Sequence, residues 1–136
     1  MDEHISNTII ELMILKAADG IKGRSRLQNI VFLLKEKYKI PIEVNYKMYF
    51  YGPYSEDLTY DIKALEAFGL LKEETEYEGG YIEYRYKLTE RGEELLSKFL
   101  REERNKELYE KIQKSVKELL GLSSGELIRE AKSVGS

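Results

Sequence analysis

Cysteine is absent from the 136 residues, and histidine occurs once, at His4. Without thiols the chain holds neither a disulfide frame nor a thiolate metal site, and the composition fits a reducing cytoplasm. A single imidazole excludes a metal cluster built on several histidines and leaves little for histidine base catalysis. Acidic residues are plentiful, but they follow helix faces and capping positions, so neither an enzyme nor a cofactor is expected. No apolar run approaches the ~18 residues that span a bilayer. The N-terminus "MDEHISNTIIELMILKAADG" has no basic start and mixes apolar with polar residues, which argues against a signal peptide. A soluble, cytoplasmic protein with no membrane partner is expected. Net positive charge is missing as well. The formal charge of −3 argues against a non-specific nucleic-acid binder, which needs a positive field.

What is present suits one domain with its own core. No internal repeat or low-complexity linker interrupts it. Charge is uneven: residues 1–50 carry eight Lys and Arg against six Asp and Glu, residues 51–136 fourteen against nineteen. A phosphate-facing surface is therefore to be sought in the first half.

Periodicity predicts a first helix over about Ile5 to Ala18, with Ile5, Ile9, Leu12 and Met13 on one buried face and Ile10, Ile14 and Leu15 widening it. A helix apolar on most sides is either central or shared with another chain. A second helix opens at Ser25 as N-cap, buries Leu27, Ile30, Val31, Leu34 and Tyr38, and closes before Pro41. "EVNYKMYFY" alternates, with Val44, Tyr46, Met48 and Phe50 on one face of an extended segment. Gly52-Pro53 turns the chain, and Ser55 caps a third helix with Leu58, Ile62, Leu65 and Phe68 inward and Gly69 as its stop. "LLKEETEYEGGYIEYRYKLT" reads as a hairpin turning at Gly79-Gly80, which sets Glu76 directly opposite Glu83. Thr89 caps the next helix. A further helix near Lys106–Leu120 buries Leu108, Ile112, Val116 and Leu119, and periodicity leaves open whether the two are continuous. Ser123 with Glu126 forms a capping box for a last helix carrying Leu127, Ile128 and Ala131, and the tail 133–136 is expected to fray.

This order predicts an α+β, mostly helical fold: a winged helix-turn-helix with a β-hairpin wing and additional C-terminal helices. Residues 1–104 form the winged-helix domain and 105–136 a helical extension packed on it. The helix before the wing, Ser55–Phe68, is then the recognition helix.

Two stretches carry a family resemblance. "YRYKLTERGEELL" (84–96), with Thr89 capping and Gly92 three residues later, is similar to the wing-to-helix junction of PadR-like and MarR-like transcription regulators. "GRSRLQNIVFLL", "FYGPYSEDL" and "LSSGELIREA" resemble small bacterial and archaeal proteins that include the Panacea domain of antitoxins. Leu27, Gln28, Tyr51, Gly52, Pro53, Leu127 and Ile128 match that pattern; Asn29 stands where a Lys is common. The first resemblance implies a DNA-binding regulator acting as a homodimer. The second implies an adaptor that binds a protein. A DNA-binding regulator is the function expected, with the protein-binding adaptor as the alternative.

Residue chemistry divides along the same line. Lys22, Arg24 and Arg26 flank the start of the second helix, whose free N–H groups favour an anion, and are the best phosphate site in the chain. Thr59, Tyr60 and Lys63 face outward from the recognition helix, and Arg85 and Lys87 edge the wing, so these complete a DNA surface. Yet Ser55–Phe68 holds four carboxylates and one lysine. Carboxylates accept only from cytosine and repel phosphates, so this face also reads as solvated or protein-contacting, with Glu56, Asp57 and Tyr60 as the contacts to a protein. Tyrosine occurs eleven times, crowded around the Gly-Pro turn, which favours a protein partner. A homodimer interface is expected along the first helix and at Leu108, Ile112 and Leu119.

Overall fold

In the computed structural model, which describes residues 4–135, the first helix is the central one. Helix α1 (Asn7–Ala18) starts where Ser6 Oγ accepts from the Ile9 N–H, and Asp19, at a φ of 51°, turns the chain out. Ile10, Leu12, Met13, Ile14 and Leu15 are none of them more than 2% exposed. Their cover comes from this chain itself: α5 (Glu103–Leu120) lies along α1, with α4 (Glu90–Phe99) beside it. This corrects the expected dimer interface. Ile112 and Leu119 are 0% and 1% exposed inside the core, and Leu108 packs on its margin, because α5 turns its apolar stripe onto α1. The extension 105–136 shares this one core through Ile112, Val116, Leu119, Leu127 and Ala131.

Between α1 and α2 (Arg24–Glu36) lies a strand that periodicity does not reveal. β1 (Ile21–Lys22) pairs antiparallel with β5 (Tyr81–Leu88), which pairs with β4 (Leu71–Glu78), in the order β1-β5-β4. The hairpin turns at Gly79-Gly80, where φ values of 49° and 101° favour glycine, and Glu76 does face Glu83. Helix α2 begins ahead of Ser25. Gly23, at a φ of 102°, bends the chain from β1 into the helix, and its N–H donates to the Tyr84 carbonyl at 2.6 Å. Ser25 lies in the first turn, where its carbonyl oxygen and Oγ accept from Asn29 Nδ2.

After α2, Ile40, Ile42 and Val44 are buried in a segment without regular secondary structure, turned at Pro41 by the Ile42 N–H donating to the Ile40 carbonyl at 2.8 Å. Val44 and Tyr46 point inward as the alternation predicts, but Met48 is 43% and Phe50 94% exposed. The cause is a second hairpin: β2 (Lys47–Tyr49) pairs with β3 (Gly52–Tyr54), and Phe50-Tyr51 forms its turn. Helix α3 (Glu56–Ala67) follows, with Ser55 Oγ accepting from the Leu58 N–H at 3.1 Å. Leu58, Ile62 and Leu65 are buried. Phe68, expected with them, is 65% exposed, because the helix ends there and Gly69 turns the chain away.

Thr89 holds the junction from β5 to α4. Its Oγ1 accepts from the Gly92 N–H at 3.1 Å and donates to the Gly69 carbonyl at 2.6 Å. A Cβ at Gly92 would collide with the Leu70 carbonyl, so the glycine lets α4 sit directly on the start of β4. Thr89→Ala is expected to cost about 1–2 kcal/mol in urea unfolding, with Thr89→Ser restoring most of it. Helices α4 and α5 are separate. Asn105 is buried in the first turn of α5 rather than capping it, and its Nδ2 donates back to the Phe99 carbonyl at 2.8 Å. Ser123 and Glu126 form the expected capping box of α6 (Ser124–Gly135), bonded reciprocally at 2.9 and 3.1 Å. Residues 133–135, expected to fray, are helical, with Gly135 packed against Met48 and the Phe32 ring; Ser136 lies outside the described residues. The result is an α+β molecule, mostly helical, with small antiparallel sheets. No helix among the described residues is long and apolar enough to cross a membrane.

Candidate macromolecular interface

The face of α3 is set by one buried amide. Gln28, 6% exposed on α2, accepts from the Ser55 N–H at 2.9 Å and donates to the Ser55 carbonyl at 3.1 Å and Thr59 Oγ1 at 3.2 Å. Thr59 Oγ1 also lies 2.9 Å from the Tyr54 hydroxyl. The start of α3, the end of β3 and the middle of α2 are thereby locked together. Thr59, expected to reach DNA bases, is committed to this network and half-buried. Tyr60 and Lys63 do face outward, Tyr60 at 76% exposure. Glu56 and Asp57 flank the same helix start, where Asp57 also accepts from the Asn45 N–H at 2.8 Å.

Four of the five expected phosphate cations are engaged within the chain. Lys22 Nζ lies 3.3 Å from Glu83 and 3.8 Å from Glu76. The repulsion between those opposed carboxylates is thus offset by a cation from β1. Arg24 bonds Glu73 at 3.1 Å, with its guanidinium 3.9 Å above the Tyr84 ring. Arg26 donates to the Leu120 carbonyl at the end of α5, and Arg85 to the Asp19 carbonyl at the end of α1. Lys87 stands opposite Lys72 across the hairpin. The ends of α1 and α5 and the carboxylates of the β4–β5 hairpin engage Lys22, Arg24, Arg26 and Arg85.

Apolar surface gathers instead at two tips. The β2–β3 turn presents Phe50 and Tyr51, 94% and 62% exposed, with Tyr51 stacked on Tyr49 at 5.4 Å and Lys132 4.9 Å from the Phe50 ring centroid. The β4–β5 turn presents Tyr77, Tyr81 and Ile82. Beside the β2–β3 tip lies a cleft of about 460 Å³, lined by Tyr51, Tyr54 and Tyr86 with Leu27, Leu58 and Ile62. Glu66 and Glu73 meet at its rim, and burial first, then the neighbouring Glu73, raises the Glu66 carboxyl above its usual range.

Behind α3, a second carboxyl pair joins it to the core. Glu11 on α1 is 2% exposed, and burial, together with Asp61 on α3, pushes its pKa up to about 10. Burial likewise raises the Tyr46 phenol, with the Glu11 charge adding to it.

Spacing alone does not expose Gln28, which only the motif resemblance marks. Glu11 carries a signal in the sequence, as the one carboxylate within "IIELMILKAA". No family model matches the chain, and no solved structure matches it. Among curated proteins, it is 46% identical over 76 residues to "Uncharacterized protein YwgA" of Bacillus subtilis (strain 168), a match covering 56% of this chain and 45% of YwgA. The chain thus matches less than half the length of that relative, whose name carries no activity to transfer.

Proposed function

We propose that the chain is a winged-helix module that docks on another protein through the outer face of α3 and the aromatic hairpin β2–β3. The winged-helix reading is supported by the order α1-β1-α2-α3-β4-β5, with β1 paired to β5 and α3 directly before the wing. In it, β2–β3 is an insertion between α2 and the recognition helix. The observation that carries the docking reading is the engagement of Lys22 and Arg24 by Glu83, Glu76 and Glu73. Phosphate binding would have to break those pairs first. What α3 and the hairpin offer is aromatic and acidic: Phe50, Tyr51 and Tyr60 beside Glu56 and Asp57. Exposed aromatics are enriched where proteins meet, and carboxylates favour a basic protein surface while repelling nucleic acid.

The test pairs two measurements. Fluorescence anisotropy with duplex DNA, at low and at physiological salt, should show no saturable binding. Co-purification from the native lysate should recover a stoichiometric partner that the Phe50→Ala, Tyr60→Ala double variant loses, each anchor being worth about 2 kcal/mol, roughly thirty-fold in affinity. Saturable DNA binding that falls steeply with salt and weakens in Lys63→Ala would overturn the reading in favour of a DNA-binding regulator.

A further inference from the structure

We infer that the outer edge of β4 accepts an extended, basic segment of a partner protein as an added strand. The inference rests on the protein-docking reading but places a contact on a different surface. β4 is eight residues long and pairs on one side with β5; no described strand pairs with its other side. The base of the strand is met by α3, where Glu66 and Glu73 lie together. Farther out, Glu74, Thr75 and Tyr77 are exposed and Glu76 partly so. An open edge of this length presents a row of unpaired N–H and C=O groups, the template on which β-augmentation works.

Charge and register specify the occupant. Glu73, Glu74, Glu76 and Glu78 make half of β4, against the single Lys72. A second copy of the strand would set glutamates against glutamates, which is unfavourable across a ladder. A Lys- or Arg-bearing segment meets the opposite situation. Glu76 shares Lys22 with Glu83, at 3.8 and 3.3 Å, and the Glu74–Lys72 pair is long at 3.8 Å. The pairing Glu76↔Glu83, Glu74↔Arg85 defines one face of the hairpin, and Tyr77↔Ile82, Thr75↔Tyr84 the other. An added strand keeps that alternation, with basic residues on the glutamate face and β-branched or apolar residues on the tyrosine face. Tyr77, 78% exposed on β4, is the apolar surface such a segment would cover.

The test uses the full chain labelled with ¹⁵N and a synthetic peptide of β4's length that alternates Lys with Val and Thr. Amide shifts and slowed hydrogen exchange should centre on Glu74–Tyr77. Affinity should fall about tenfold or more when Glu replaces each peptide Lys, and similarly with Glu74→Lys in the protein. Methylating alternate peptide amides, which removes the ladder donors and leaves the charge, should abolish the protection. Unprotected β4 amides, or equal binding by the methylated peptide, would mean that no strand is added. If the Phe50, Tyr60 double variant loses its partner while no peptide protects β4, this inference fails and the docking reading stands. If a peptide pairs with β4 while no partner depends on Phe50 or Tyr60, the strand addition holds and the α3 surface is wrong.

Discussion

Replacing Glu11 by Gln is expected to raise the thermal midpoint at about pH 8 by on the order of 10 °C and to flatten its dependence on pH. Glu11 is 2% exposed on the central helix, and neither carboxyl oxygen meets a donor in the protein. Its neighbour is the Asp61 carboxylate, so a hydrogen bond between them exists only if one of the two carries a proton. Burial, reinforced by Asp61, places that proton on Glu11 and lifts its pKa from 4.5 to about 10. The folded chain then holds a proton that the unfolded chain releases between those values. Stability from this group is complete below the unfolded pKa and declines as pH rises towards the folded one, by up to about 1.4 kcal/mol per pH unit. Glutamine donates the same hydrogen bond without needing a proton. Calorimetry from mildly acidic to mildly alkaline pH should therefore show a falling midpoint for the native chain and a higher, flatter one for Glu11→Gln. Parallel curves would show that Glu11 is ionised in the fold.

The contrast between Glu11 and Ser55 shows how far the sequence could be read. Ser55, Thr89 with Gly92, Ser123 with Glu126 and Gly79-Gly80 act on backbone within a few residues, and each stands where spacing puts it. β1 and the β2–β3 pair are two and three residues long. Strands that short exist only through their partners, and alternation over 43–51 cannot indicate that the chain reverses at Phe50. The width of the apolar face on α1 was legible, but its cover was not: α5, about ninety residues away, supplies what a second chain was expected to supply. Charge behaves likewise. Register alone exposes the opposition of Glu76 and Glu83, whereas Lys22, which sits near both, arrives from another strand. A basic cluster in sequence therefore became three separate internal contacts, and the candidate surface moved from cations to aromatics.

Gln28→Leu is expected to cost about 3 kcal/mol and to loosen α3 without touching its outer face. The substitution puts an apolar side chain of similar size in place of the amide, so cavity formation is a minor part of the loss. The main part is the Ser55 N–H, which sits in a residue that is 0% exposed and has Gln28 Oε1 as its acceptor at 2.9 Å. The Ser55 carbonyl keeps the Thr59 N–H at 3.2 Å, and Thr59 Oγ1 keeps Tyr54, so the damage is confined to the start of the helix. In urea the midpoint should fall. In hydrogen exchange, Ser55 and the first turn of α3 should open well before β4 and β5. Gln28→Glu makes the cause visible. Ionised, it still accepts from the Ser55 N–H but sets a carboxylate oxygen against the Ser55 carbonyl, and protonation restores a donor there, so acid should recover much of the loss. Unchanged protection at Ser55 in Gln28→Leu would show that the amide does not hold the helix. If it does, and if the proposed docking face is right, partner capture should weaken with both variants, because Gln28 fixes the end of the helix that carries Glu56, Asp57 and Tyr60.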